Sequence, residues 1–254
     1  MITILSPAKT LDFDRDYSFS DCTIPQFLFE SEELMHQLKK FNIEDIATTM
    51  HISEKLSKVN YDRFQNWTNQ FSLSNAKQSI FCFKGGVYVG LNVSSFSPDD
   101  LKYSQNYLRI LSGLHGVLRP LDLIKPYRLE MGTKLKTNKG KNLYEFWGEK
   151  ITQSLNDSLQ KNGSNYILNL ASNEYFSSVF TSQINGKIID VKFLDKKNSI
   201  YKTISFFAKK ARGAMASFVI QNQITNTEDL QKFDGLGYKF DNSRSKMNSL
   251  VFIR

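Results

Sequence analysis

The sequence predicts an α+β (mixed α/β) fold: a single domain in which a mixed central sheet is surrounded by helices. Strand-like and helix-like segments alternate irregularly over the 254 residues, and no pattern recurs with a period of about 20–50 residues. Only five prolines and thirteen glycines occur, so no low-complexity linker divides the chain. Because a chain of this length can bury one large core, we expect residues 1–254 to form one domain.

The first part of the chain should contain one strand, a group of helices and a β-rich segment. Met1–Pro7 (MITILSP) is a short apolar run that proline ends, as expected of a strand. Three helices are predicted next, over Ser31–Lys40, over Ile43–Met50 and in the segment that follows Ser53. Ser79–Gly85 is rich in β-forming residues, and Val87–Leu91 is predicted to continue that strand.

The stretch LRILSGLHGVLRPLDLIKPYRLEMG (Leu108–Gly132) combines two glycines three residues apart with two prolines and several basic side chains. Ser97–Asp100 supplies a serine cap, a proline and two acids, so a helix should begin there and stop at Gly113. A second short helix is expected near Pro120, which predicts a helix–hairpin–helix element over about residues 98–125. Its glycines would let backbone amides approach a phosphate. A helical hairpin used only for packing is the alternative.

The remaining chain should alternate between helix and strand. Tyr144–Gln160 is amphipathic and predicts one helix. Strands are predicted at Asn165–Leu170, Lys187–Leu194 and Tyr201–Phe207, followed by a helix at Ala208–Gln223. Gly237–Phe240 and Ser249–Ile253 predict a closing antiparallel pair of strands.

The positive charge is concentrated in two windows of the chain. The net charge is +8, yet Lys102–Lys150 alone holds ten basic against four acidic residues. Lys192–Arg212 holds seven basic residues against Asp195. Focused positive charge favours a surface that binds a polyanion, while lysines that merely decorate solvated faces are the alternative.

Several classes of protein are disfavoured by composition. No run of eighteen apolar residues occurs, which argues against a transmembrane helix, and no signal peptide is expected. Two cysteines, Cys22 and Cys82, are too few for a disulfide framework and indicate a reducing, cytoplasmic location. The three histidines lack partners at metal-ligand spacing, so neither a metal site nor a cofactor is predicted. Among them, His115 is interpreted as a polar turn residue.

Lys209, Lys210 and Arg212 form a compact cationic group where a strand is predicted to pass into a helix. Cations at a helix start oppose the helix dipole unless an anion offsets them. This local conflict favours a binding role. The alternative is an ordinary ion pair with a carboxylate such as Glu130 or Glu174.

Two polar segments each follow a predicted strand. Lys9, in Ser6–Thr10, could bind phosphate or act as an amine nucleophile, although the segment lacks the glycines of a P-loop. An ordinary turn is the alternative. Ser172, Asn173 and Glu174 follow another strand, as a helix cap or as the wall of a polar site.

Seven segments of the chain carry a family resemblance. They are LSPAKTLDF (5–13), FKGGVYVGL (83–91), YLRILSGLHGVLRPLDLIKPYRLEMGTKL (107–135), LYEFWG (143–148), NLASNEYF (169–176), ISFFAKKARGAMA (204–216) and SLVFIR (249–254). Together they resemble the bacterial YaaA family of peroxide-stress proteins. The resemblance implies a cytoplasmic protein of the oxidative stress response that lowers unincorporated iron. It also implies DNA binding through a positively charged cleft and a helix–hairpin–helix motif, here Leu108–Ile124.

The first functional hypothesis is a DNA-binding stress protein without catalytic activity, and it is the one we favour. Phosphate contacts would dominate binding and give weak sequence preference. The expected DNA-binding residues are Lys9, Arg109, Gly113, Gly116, Arg119, Lys125, Arg128, Lys209, Lys210 and Arg212.

The second hypothesis is an enzyme that processes nucleic acid or nucleotides, similar to a glycosylase or lyase. A lysine would attack a sugar, and a carboxylate would orient it. The candidates are Lys9 or Lys209, with Asp12 or Asp122. The third hypothesis is that the protein lowers iron indirectly, through a partner that the sequence does not identify.

Overall fold

The computed structural model describes residues 1–14 and 19–254. Its strands are β1 (Ile2–Leu5), β2 (Thr10–Leu11), β3 (Lys77–Gln78), β4 (Phe83–Lys84), β5 (Leu108–Ser112), β6 (Gly116–Leu118), β7 (Leu123–Ile124), β8 (Tyr166–Asn169), β9 (Lys187–Lys197), β10 (Ile200–Lys202), β11 (Lys239–Phe240) and β12 (Ser249–Ile253). Its α-helices are α1 (Leu28–Leu38), α2 (Ile43–Met50), α3 (Glu54–Asn66), α4 (Ser79–Cys82), α5 (Gly86–Leu91), α6 (Pro98–Tyr107), α7 (Leu143–Trp147), α8 (Lys150–Lys161), α9 (Asn173–Phe176), α10 (Ser205–Gln221) and α11 (Thr227–Leu230).

Within the described residues, eight strands form one central sheet. Seven of them lie in the order β11-β12-β9-β8-β1-β5-β6, and β10 pairs with β9. The neighbours from β12 to β5 run parallel, whereas β6, β10 and β11 join antiparallel. All four residues of β1 are buried, as expected of a central parallel strand covered on both faces. The predicted single mixed α/β domain is therefore confirmed.

The predicted helix–hairpin–helix element over residues 98–125 is wrong. Helix α6 ends at Tyr107, and Leu108–Ser112 forms β5 beside β1. The chain then turns through Gly113 into β6, so the glycines belong to a β-hairpin, and no helix begins at Pro120. A short apolar run fits a buried strand as well as a helix, and the pairing with β1 decides between them. Helices α2 and α3 do form a helical hairpin, joined through His51 in the left-handed conformation.

Three other sequence-based assignments need correction. The β-rich segment after Ser79 forms two short helices, α4 and α5, around the two-residue strand β4. The helix predicted at Tyr144–Gln160 is interrupted at Gly148, whose φ of 47° a side chain rarely adopts. The strand predicted at Tyr201–Phe207 ends at Lys202, and α10 begins at Ser205.

Local signals placed several other elements correctly. Helix α2 has the predicted bounds, and the Asn42 side chain accepts a hydrogen bond from the backbone N–H of Asp45. The Ser97 hydroxyl caps α6 by accepting from the backbone N–H of Asp100 at 3.1 Å. Strands β8 and β9 and the closing antiparallel pair of β11 and β12 are also confirmed.

Helices α5 and α10 cross at unusually short range because glycines face each other. A Cβ added to Gly213 would lie 1.7 Å from the Val87 carbonyl oxygen. A Cβ added to Gly90 would lie 1.9 Å from the Lys210 carbonyl oxygen. This crossing fixes the basic first half of α10 against the loop that precedes α5.

Candidate functional site

A cavity of about 270 Å³ lies where the loops after β1 and β8 meet. The chain passes from β1 to β5 on one side and later places β8 on the other side of β1. In open α/β sheets, ligands bind at such points, outside the carboxyl ends of the strands. Residues from three loops, 6–10, 84–87 and 170–175, line it together with Lys209 and Arg212 of α10. We call it the edge cavity.

Hydrogen bonds hold the two loops of the edge cavity together. The Ser6 hydroxyl accepts from the backbone N–H of Ser172 at 2.8 Å and donates to the Ser172 hydroxyl at 3.3 Å. The Tyr88 hydroxyl donates to the Ser6 carbonyl oxygen at 3.1 Å. Burial raises the pKa of Tyr88 well above its usual value, so this phenol stays a neutral donor.

Ion pairs fix the charges at the rim of the edge cavity. Glu130 accepts from Lys9 at 2.5 Å and from Arg128 at 2.8 Å. Lys84 pairs with Asp12 at 3.1 Å, next to the short β2–β4 ribbon. Glu130 therefore holds Lys9 and Arg128 in place, and it is not the partner of the α10 cations that the sequence offered as an alternative.

Lys209 and Arg212 lie three residues apart on α10 and line the edge cavity from one helix face. Neither side chain has an ion pair or hydrogen bond to a described residue. Burial lowers the pKa of Arg212, so its positive charge is incompletely solvated. Lys210 is half-buried on a different side of the helix and does not line the cavity.

The other predicted cations do not reach the edge cavity. Arg109 is buried and donates to the Ser158 hydroxyl at 3.0 Å, and burial lowers the pKa of its guanidinium to about 10. Arg119 pairs with the fully buried Asp122 at 2.8 Å. Lys125 is also buried and donates to the Thr68 hydroxyl at 2.5 Å. Asp122 lies outside the edge cavity and pairs with Arg119, so the cavity does not bring it together with Lys9 or Lys209.

The two hairpin glycines serve packing. A Cβ on Gly113 would lie 2.3 Å from the Leu129 carbonyl oxygen, and a Cβ on Gly116 would lie 2.8 Å from the Trp147 ring. The Trp147 Nε1 donates to the Gly113 carbonyl oxygen at 3.0 Å. His115, between them, is fully buried, and burial lowers its pKa to about 3. Neither glycine presents its backbone to a ligand, contrary to the expectation from sequence.

Sequence reasoning missed several residues of the edge cavity. Lys84, Gly85 and Gly86 face the loop after β1 because β4 pairs with β2 across more than seventy intervening residues. Tyr175 lies in the short helix after β8. The local signal was the glycine pair at which the β-rich run ends before Val87–Leu91 resumes it, and the prediction assigned no binding role to that pair.

Three features are absent from the described part of the chain. No three His, Cys, Asp or Glu side chains in it converge as a metal ion would require. None of its helices is long and apolar enough to cross a membrane. Its two cysteines, exposed Cys22 and buried Cys82, are both free thiols.

The fold and site define an α/β protein with a cavity at the carboxyl edge of a mixed sheet, lined by four basic side chains and the carboxylate of Glu174. Residues 1–244 match the family described as "Peroxide stress protein YaaA". The chain is also 50% identical to a "UPF0246 protein" of Saccharophagus degradans, over 100% of this chain and 99% of that protein. The chain belongs to the YaaA family of peroxide stress proteins, which confirms the resemblance carried by its motifs.

Proposed function

We propose that this chain acts in the cytoplasm during peroxide stress by binding DNA through a basic cleft centred on the edge cavity. The carrying observation is that Lys209 and Arg212 line this cavity without a carboxylate partner among the described residues. We also propose that the protein lowers unincorporated iron, and only its membership of the YaaA family supports this part. The proposed DNA contacts are Lys9, Lys84, Lys209 and Arg212, which line the cavity, and Lys210, which lies outside it on α10.

Phosphates would dominate this binding. Unpaired lysine and arginine side chains neutralise phosphates and release counterions, which gives affinity with little sequence preference. The β9–β10 ribbon leads directly into α10, and its lysines at positions 192, 196, 197 and 202 are exposed. These lysines would extend the contact surface beyond the edge cavity.

The charge reversal Lys209→Glu/Lys210→Glu tests the proposal. We expect it to weaken duplex binding at least tenfold at low salt, because it removes two contacts and adds two repulsive charges. The matched control, Lys161→Glu/Lys187→Glu, makes the same change in net charge. Its two lysines are exposed next to the starts of β8 and β9, at the opposite edge of the sheet.

Fluorescence anisotropy with a labelled duplex measures both variants at several salt concentrations. The proposal predicts a large loss for the α10 variant and a small one for the control. Equal affinity losses would show that only net charge matters, and unchanged affinity in the α10 variant would remove the edge cavity from consideration.

A nucleic-acid- or nucleotide-processing enzyme is the second candidate. It is favoured by Lys9 and Lys209 lining one cavity together with the carboxylate of Glu174. At an abasic site the lysine amine condenses with the C1′ aldehyde of the sugar and water leaves, whereas at a damaged nucleotide the amine displaces the base from C1′ and the sugar ring opens. Either route gives an imine, which borohydride reduces to a stable amine adduct. Trapping with duplexes that carry an abasic site or damaged bases would give an adduct in the native protein and none in Lys9→Gln/Lys209→Gln. Absence of any adduct in the native protein would contradict this candidate.

A further inference from the structure

We propose that the edge cavity binds one phosphomonoester group, carried either by the end of a nucleic-acid strand or by a free mononucleotide. The inference rests on the proposed function, in which this cavity is the centre of phosphate contact. It adds that the cavity itself prefers a terminal phosphate to the phosphodiesters of a continuous backbone.

The size of the cavity favours a terminal group. Its volume of about 270 Å³ lies just below the usual range of about 300–1,000 Å³ for ligand pockets. A continuous duplex can only lie across the mouth of such a cavity, whereas a phosphate with its sugar can enter it. The hydrogen-bonded loops at Ser6 and Ser172 close the cavity from the sheet side.

The charge at the cavity favours a dianion. Five cations lie in it or in its ion-pair network, namely Lys9, Lys84, Arg128, Lys209 and Arg212. Three carboxylates, those of Asp12, Glu130 and Glu174, belong to the same network, which leaves a charge of +2. A phosphomonoester carries about −1.5 to −2 at neutral pH, whereas a phosphodiester carries one negative charge.

The uncompensated donors are grouped at one side of the cavity. Lys9 and Lys84 are already held by Glu130 and Asp12, so Lys209 and Arg212 remain to meet an anion. Glu174 is engaged by the backbone N–H of Gly132 at 3.1 Å. An arginine fork beside a lysine can bind the several oxygens of one phosphate at once.

Part of the cavity wall has little side-chain bulk. Gly85 and Gly86 line the cavity without a side chain, and Gly86 packs directly against α10, where a Cβ on it would lie 3.2 Å from the Lys209 Cβ. The absence of side chains there lets a ligand oxygen approach the backbone closely. Lys209 and Arg212 of α10 and the backbone of Gly85 and Gly86 therefore line one cavity side by side.

Calorimetric titration with deoxyadenosine monophosphate and with deoxyadenosine tests the preference directly. We expect the monophosphate to bind at least tenfold more tightly than the nucleoside. A 5′-phosphorylated single-stranded oligonucleotide and its 5′-hydroxyl counterpart identify the source of the group. Tighter binding of the phosphorylated strand assigns a strand end, and a preference confined to the mononucleotide assigns a free nucleotide; both outcomes support the inference.

The variants Lys209→Gln and Arg212→Gln should each weaken binding of the monophosphate at least tenfold. Lys209 is exposed, so its variant should fold normally even if Arg212→Gln does not. Lys161→Gln removes one exposed charge elsewhere and should leave the affinity unchanged. Equal binding of nucleotide and nucleoside, or an unchanged affinity in Lys209→Gln, would overturn the inference.

A closed circular duplex, which has no ends, separates this inference from the proposed function. If it binds the protein while the monophosphate does not, DNA binding stands and the terminal-phosphate inference fails. If the monophosphate binds and the circle does not, the terminal-phosphate inference stands and binding along continuous DNA fails.

Discussion

At the scale of single residues, two glycines determine how closely α5 and α10 approach. Gly90 and Gly213 each leave room for a carbonyl oxygen of the other helix, at positions where a Cβ would lie within 2 Å. Two physical effects oppose each other at Gly213. Alanine is the better helix former by about 1 kcal/mol, while overpacking a closely packed contact costs about 1–3 kcal/mol or more. At a separation of 1.7 Å the clash must dominate.

We therefore expect Gly213→Ala to lower the free energy of unfolding by about 1–3 kcal/mol, despite the gain in helix propensity. Gly90→Ala should have a similar effect, since it meets the same crossing from the other side. Denaturant unfolding of both single variants and of the double variant measures this. Because the first methyl already separates the helices, the double variant should lose less than the sum. A stabilised Gly213→Ala would mean that the crossing is looser than the structure shows.

The same crossing explains a limit of prediction from sequence. The glycine pair at Gly85–Gly86 and the single glycine at Gly113 were visible as breaks in an apolar pattern. What each glycine contacts was not visible, because Val87 and Gly213 are far apart in the chain. Residue types therefore singled out Lys9 and the cations of α10 as candidates, but they did not show that Lys9, Lys209 and Arg212 share one cavity with Lys84.

At the scale of elements, the central hairpin shows how tertiary pairing decides between helix and strand. Local signals were sufficient to predict where α2 and α6 begin, because the capping residue and the first turn of each helix lie within a few residues of each other in the sequence. They were insufficient for β5, whose partner β1 lies about a hundred residues earlier. All five residues of β5 are buried, so no amphipathic pattern was available to reveal its period.

The variant Gly116→Ala distinguishes the packing role of this hairpin from a role in binding DNA. Gly116 has a φ of 64°, and a Cβ there would meet the Trp147 ring. We expect a loss of about 1–3 kcal/mol in unfolding free energy, because the left-handed conformation strains any side chain. Duplex affinity of the folded protein should stay unchanged. Weaker duplex binding at an unchanged denaturation midpoint would instead restore the hairpin as a phosphate contact.

At the scale of the whole molecule, the two basic windows of the sequence differ in how many of their cations are neutralised by ion pairs. In the first window, Arg119, Arg128, Lys139 and Lys150 all form ion pairs. Two of the carboxylate partners, Glu30 and Glu33, lie more than a hundred residues earlier, so a count along the sequence could not detect this neutralisation. In the second window, no cation has an ion-pair partner among the described residues, and Asp195 is taken by Arg254.

The second window also lies at the edge that carries the cavity. In the register of the sheet, Asp190 of β9 pairs with Asn169 of β8, and Asn169 pairs with Ile4 of β1. Because β9 continues to Lys197, its last residues extend past the carboxyl end of β1. Lys196 and Lys197 are exposed there, close in sequence to α10.

This arrangement predicts which lysines set the salt dependence of DNA binding. Each phosphate contact contributes about 0.9 to the slope of log affinity against log salt concentration. Under the proposed function, Lys196→Gln/Lys197→Gln should reduce that slope by about 1.8. The control Lys139→Gln/Lys150→Gln removes the same charge from side chains that Glu33 and Glu30 already neutralise, so its slope should stay unchanged. Affinities of both variants over a series of salt concentrations measure this difference. Equal slopes in the Lys196/Lys197 variant and the Lys139/Lys150 control would contradict the prediction. Charges that are already paired within the fold would then count as much as free ones, and DNA would respond only to the total charge of the protein.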